Sequence, residues 1–199
     1  METRTDIGAA YVRAIEQATR VVQGIRPDQL ESATPCREWN TRQLLTHLVG
    51  SNLMMAAAGA GKPVPTGMSG TEHIAQMGDA LGDDPVGAYR SASSEALAAF
   101  TAPGALDRTW KLPFAEVPGA VALNIHVMET VAHTWDLAKC TGQLDKLDPA
   151  LAETSTALAQ GIVQPQFRND KGDPFAAEVA APAGAAAYDR FAAFLGRTP

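Results

Sequence analysis

Apolar residues recur at helical spacing along most of the chain. Between about Asp6 and Arg26, residues Ala10, Ala14, Ile15, Ala18, Val21, Val22 and Ile25 fall on one stripe at about 3.6 residues per turn, and Pro27 stops the helix. Asn40 with Gln43 three residues later forms a capping box, which predicts a second helix through Leu44, Leu45, His47, Leu48, Met54 and Met55 toward Gly59. Asp84-Pro85 opens a third helix with Val86, Tyr89, Ser93, Leu97 and Phe100 on one side. A central helix follows and stops at Gly142, a residue suited to the position just past a helix end. Asp148-Pro149 starts another, running to about Val163, and Gly184 to Leu195 reads as an Ala-rich closing helix bearing Tyr188, Phe191, Phe194 and Leu195.

The stretches between are less regular. Thr34-Pro35 suits the start of a short helical turn. Gly59 to Asp84 reads as a long connection with a short helix near Thr71–Leu81, and a connection of that length in a compact domain often forms a lid or pocket wall. Ala102 to Gly119 reads as loop with extended chain around Trp110, Arg168 to Pro174 as turn-rich, and Glu178 to Pro182 as short and extended. No internal repeat, βαβ pattern or Gly-rich phosphate loop interrupts this order. The elements describe an all-α bundle occupying residues 1–199 as a single domain.

The central helix carries the candidate chemistry. Val121, Leu123, Ile125, Val127, Met128, Val131, Ala132, Trp135, Leu137 and Ala138 make it apolar nearly all round, the mark of a buried helix. His126, Glu129, His133 and Asp136 nevertheless share one side of it, at i, i+3, i+7 and i+10. Buried polar groups without partners cost roughly 2–7 kcal/mol each, so this row demands partners. A divalent metal would satisfy it. Glu129 and His133, four apart, can share one ion, and His47 from the facing second helix would complete two imidazoles and one carboxylate. That set leaves coordination positions open and accepts zinc, iron, nickel or manganese. His126 is then a fourth ligand, a proton shuttle or a structural donor. Asp136 is a helix-surface partner of Lys139 or an acceptor holding His133 in one tautomer.

Composition narrows the function classes. A net charge of −6 argues against nucleic acid and anionic membrane as partners, since both need a basic footprint. No apolar run of about 18 residues and no leader pattern is present, so a cytoplasmic protein is expected. The two cysteines, Cys36 and Cys140, suggest no disulfide framework. Cys36 sits near the start of a helical turn, where a thiolate is favoured, but no histidine is near it in sequence, so packing is its default role and a nucleophilic one the alternative. Met54, Met55, Met68 and Met77 are expected to fill core rather than line a pocket. Trp39 and Trp135 should anchor helix contacts, Arg37 and Arg42 should be solvated, and Trp110 is the aromatic best placed for a pocket wall.

Two blocks carry a family resemblance. Thr34-Pro-Cys-x-x-Trp39-Asn40-x-x-x-Leu44-Leu45-x-His47-Leu-Val-Gly50, followed by His133-Thr-Trp-Asp-Leu-Ala-x-x-Thr-Gly142, resembles the DinB-like superfamily. More narrowly, it resembles the metal-binding domain of the mycothiol-dependent maleylpyruvate isomerase group, and the closing Asp189-Arg-Phe-x-x-Phe-Leu-Gly-Arg197-x-Pro is similar to the tail of its shorter members. The resemblance implies a DinB-like four-helix bundle with additional short C-terminal helices and without the further α/β domain of the isomerase. It implies a divalent metal, most often zinc, on His47, Glu129 and His133, and mycothiol as the thiol cosubstrate.

The function so implied is a mycothiol-dependent S-transferase or isomerase acting on a small electrophile. The metal would activate the thiol, and His126 or Asp136 would relay a proton. Two other readings fit the same residues. One is a hydrolase using metal-bound water, which would need no thiol. The other is a non-catalytic metal- or ligand-binding bundle, dimeric through an apolar helix face.

Overall fold

The computed structural model describes residues 4–37, 39–65, 70–168 and 175–199, with side chains throughout these ranges except at positions 4–6, 70, 71 and 73. Met68 and all of the turn-rich segment after Arg168 lie outside the described residues. In chain order the elements are α1 (Arg4–Gln23), α2 (Thr41–Gly59), α3 (Gly70–Met77), α4 (Pro85–Thr101), the short strands β1 (Thr109–Lys111) and β2 (Glu116–Pro118), α5 (Gly119–Thr141), α6 (Pro149–Ile162) and α7 (Ala187–Phe194). Helices α1, α2, α4 and α5 form a four-helix bundle: α2 packs on α4, α1 on α5, and the α1–α4 and α2–α5 contacts close it. Helix α6 lies against α5, and α7 packs on α6 and α5.

The helix ends follow local chemistry. Asn40 accepts from the Gln43 backbone N–H while the Gln43 side chain accepts from the Asn40 N–H. Asp84 and Asp148 cap α4 and α6, each just before a proline whose missing N–H costs nothing in the first turn. Gly142 ends α5 in the left-handed region at φ 74°, where a side chain would be strained.

The interior divides into two clusters. One gathers Tyr11, Met55, Phe100, Trp110, Val127, Val131, Trp135, Leu151 and Phe191. The other joins Val21, Leu44, Leu45, Leu48, Tyr89 and Leu137. Met55 is core, and Met54 packs on its edge.

Three local expectations are corrected. Residues 109–118 form an antiparallel hairpin with Trp110 opposite Val117, not a loop with one extended turn. Trp110 is no pocket wall: it is buried, stacks on Phe100 at 4.5 Å, and donates from Nε1 to the Ala105 carbonyl at 2.9 Å. The closing helix α7 begins at Ala187, after the turn at Gly184, φ 75°, rather than at Gly184, while Val179 in the segment before it donates to the Ala193 carbonyl.

Candidate metal centre

Packing on α2 and α5 aims the polar row inward. On α2, burial of Leu44, Leu45, Leu48 and Val49 turns His47 toward α5. On α5, burial of Val127, Val131, Trp135 and Leu137 fixes the opposite roll, so Glu129 and His133 meet His47. His47 Nε2 lies 2.9 Å from Glu129 Oε1, and Ser51, one turn further along α2, donates to Glu129 Oε2 at 2.8 Å. The His47 and His133 rings meet edge to face at 4.9 Å. One ligand atom from each of His47, Glu129 and His133 falls within a 4.8 Å span. Trp39 covers the group, its ring 4.5 Å from that of His47, and its buried Nε1 makes no hydrogen bond among the described residues.

Buried polar side chains of α5 lie behind both Glu129 and His133. His126 is fully buried and its Nε2 lies 3.1 Å from Asn52 Oδ1. Asn52 spends its amide N–H on the Leu48 carbonyl, so its oxygen faces His126, which must donate from Nε2. The other nitrogen, Nδ1, sits 3.5 Å from Glu129 Oε2 and makes no hydrogen bond among the described residues. His133 Nδ1 lies 3.0 Å from Asp136 Oδ2, and Arg197 clasps the same carboxylate with two bonds of 2.8 and 2.9 Å. A charged carboxylate only accepts, so His133 carries its proton on Nδ1 and presents the Nε2 lone pair.

Electrostatics agree with this arrangement. Burial alone would raise the Glu129 pKa, but the neighbouring His126 and His47 imidazoles outweigh it and hold the carboxyl well below its ordinary range. Asp136 is likewise depressed: burial opposes its charge, and Arg197 and His133 overcome burial. Burial lowers the His133 pKa, with Asp136 pulling the other way, so the neutral ligand form is favoured at pH 7. An ionised carboxylate and a neutral, carboxylate-backed imidazole are donors a divalent cation takes, and His47 would join them by giving up the Nε2 proton that faces Glu129. The residues fit the metal.

The four-residue row is thus split by accessibility. His47, Glu129 and His133 keep 12–20% of their side-chain surface open, whereas His126 and Asp136 keep none. Asp136 is therefore not a surface partner of Lys139. Sequence spacing gave no sign of Arg197, which lies 61 residues from Asp136, although it stands in the tail block that carried the resemblance. Nor did it place Cys36, whose Sγ lies 3.2 Å from Asp136 Oδ2, 3.4 Å from Arg197 Nη2 and 3.7 Å from His133 Nδ1. A histidine does approach Cys36, through the tertiary fold alone, yet burial and the Asp136 charge push its thiol up to about 12, against the Arg197 contribution. Cys36 is a hydrogen-bonding thiol here, not an activated nucleophile.

The model of the mycothiol maleylpyruvate isomerase N-terminal domain matches residues 11–138, a span holding His47, Glu129 and His133. The chain belongs to this family. Two uncharacterized proteins from two strains of Mycobacterium tuberculosis are each 38% identical over 189 residues, covering 95% of this chain and 96% of theirs. Crystal structures of mycothiol-dependent maleylpyruvate isomerase and of a histidine-to-alanine mutant of it superpose with TM-scores of 0.65 and 0.66. They cover 89% of this chain and 74% of theirs at 14% and 13% identity, which shows the shared fold. The family is thus a mycothiol-related enzyme family on a DinB-like bundle. Among the described residues no helix is long and apolar enough to cross a membrane.

Proposed function

We propose that this protein binds a divalent metal, zinc before others, through His47, Glu129 and His133, and uses the site for mycothiol-dependent transfer to, or isomerisation of, a small electrophile. The observation that carries the reading is the convergence of these three side chains from two helices, partly open to solvent, within a 4.8 Å span. Such a metal supplies a Lewis acid that favours the thiolate of a coordinating thiol at neutral pH. The protein's residues do the rest. Ser51 fixes the Glu129 carboxylate, with His126 packed behind it, and Asp136 fixes the His133 tautomer. Trp39 walls one side and limits water at the ligands. Sealed from solvent, His126 and Asp136 serve as positioning residues that act through Glu129 and His133 rather than as groups touching substrate. We take residues 1–199 as one domain, acting in the cytoplasm with a low-molecular-weight thiol and a small electrophile as partners.

The test is metal analysis of the purified protein beside His133→Ala, followed by mycothiol titration of the cobalt-substituted form. About one metal per chain, lost in the variant, together with a mycothiol-dependent change in the cobalt spectrum and thiol-dependent consumption of an electrophile, is the expected result. Metal without any thiol response would replace this reading with hydrolysis by bound water or with non-catalytic binding. No metal in the unmodified protein would end it.

A further inference from the structure

A second group of metal-type donors lies directly behind the first. Cys36, His133 and Asp136 also bring one ligand atom each within 4.8 Å of one another. The two groups share His133, whose Nδ1 lies 3.0 Å from Asp136 Oδ2 and 3.7 Å from Cys36 Sγ. A neutral imidazole has one lone pair, on one nitrogen or the other, and holds one ion at a time, so something must decide between them. Soft thiolate and imidazole donors attract zinc and its neighbours strongly, and on donor chemistry alone the Cys36 group is a serious competitor.

Arg197 stands in that second group. Its guanidinium touches both Asp136 oxygens at 2.8 and 2.9 Å and Cys36 Sγ at 3.4 Å, which puts a fixed positive charge where a cation would bind. The residue is held there by a built turn. After α7 the chain reverses at Gly196, φ 82°, where a Cβ would strike the Ala176 backbone, and the Arg197 N–H donates to the Ala192 carbonyl at 2.9 Å. Phe191 and Leu195 anchor the turn in the core. Arg197 itself is only 13% exposed.

We propose that Arg197 is a positioning residue that selects which side of His133 receives the metal. By clasping Asp136 it locks the proton on Nδ1 and leaves Nε2 for the ion shared with His47 and Glu129. By occupying the space among Cys36, Asp136 and His133 it denies that space to a second cation. The inference rests on the metal reading above and adds that the last turn of the chain governs where the metal binds.

Metal-free protein titrated with cobalt(II) tests this, using the unmodified chain, Arg197→Met, Arg197→Lys and Arg197→Met with Cys36→Ser. The unmodified chain should take one equivalent with no thiolate-to-metal charge-transfer band. Arg197→Met should bind at the first group about 10–100-fold more weakly, the usual effect of losing a group that orients a ligand, and should gain the thiolate band. The band should vanish in the double variant. Arg197→Lys keeps the charge but loses the forked pair, so it should weaken binding without the band. Unaltered affinity and no band in Arg197→Met overturns the proposal, as does a thiolate band in the unmodified chain. If circular dichroism shows that Arg197→Met does not fold, unaltered affinity in Arg197→Lys overturns it instead. Failure of the unmodified chain to bind cobalt removes the metal reading and this inference together. Normal binding indifferent to position 197 removes the inference alone.

Discussion

The Cys36 thiol donates to Asp136 and lies beside a guanidinium and an imidazole, surroundings that in an open site would make a thiolate. Burial reverses that outcome, because removing a thiolate from water costs more than one shared guanidinium returns. The folded pKa of about 12 lies above the ordinary 9, so the stabilisation from the neutral thiol is complete below pH 9 and disappears as pH rises toward 12. Around pH 8 the folded protein should therefore alkylate with iodoacetamide at Cys36 about 100-fold more slowly than the unfolded chain does. Peptide mapping separates Cys36 from Cys140, and rapid labelling of Cys36 in the folded protein would contradict the assignment. The same carboxylate that quiets Cys36 orients His133. One ionised aspartate sets the protonation of a thiol and a candidate ligand on either side of it.

Helix limits were legible because the groups that set them are neighbours in sequence. The Asn40–Gln43 box, the Asp-Pro pairs at Asp84 and Asp148 and the stop at Gly142 all appear where local chemistry placed them. The box invites a measurement: Asn40→Ala should destabilise the protein by about 1 kcal/mol in urea unfolding, with an unchanged m-value. A shift below a few tenths would mean that packing of Leu44 and Leu45 alone defines the start of α2. The candidate ligands were legible too, since Glu129 and His133 share a helix face and His47 sits at matching depth on its partner. What escaped the sequence is set by distant packing. The hairpin of residues 109–118 exists because Trp110 finds Phe100 and the Ala105 carbonyl, and no period of two announces strands of three residues. Arg197 meets Asp136 only because α7 docks on α5 and α6, which no spacing encodes.

Across the whole molecule, the bundle makes α2 and α5 adjacent while each helix has its own reasons to fold, and the candidate centre is where they share polar atoms. In the structure His47 and Glu129 join the two helices by a contact of 2.9 Å. An ion held by His47 from one helix and by Glu129 and His133 from the other would tie the two helices together only when the bundle is formed. Binding to the folded state alone adds RT ln(1 + [L]/Kd), so free zinc at about 100 times Kd should add about 2.7 kcal/mol against denaturant. The comparison is zinc against chelator in urea unfolding, with His133→Ala beside the unmodified chain. The gain should appear in the unmodified chain and collapse in the variant. An equal gain in both would put the ion elsewhere on the chain. No gain in either would leave α2 and α5 joined by hydrogen bonds and packing alone.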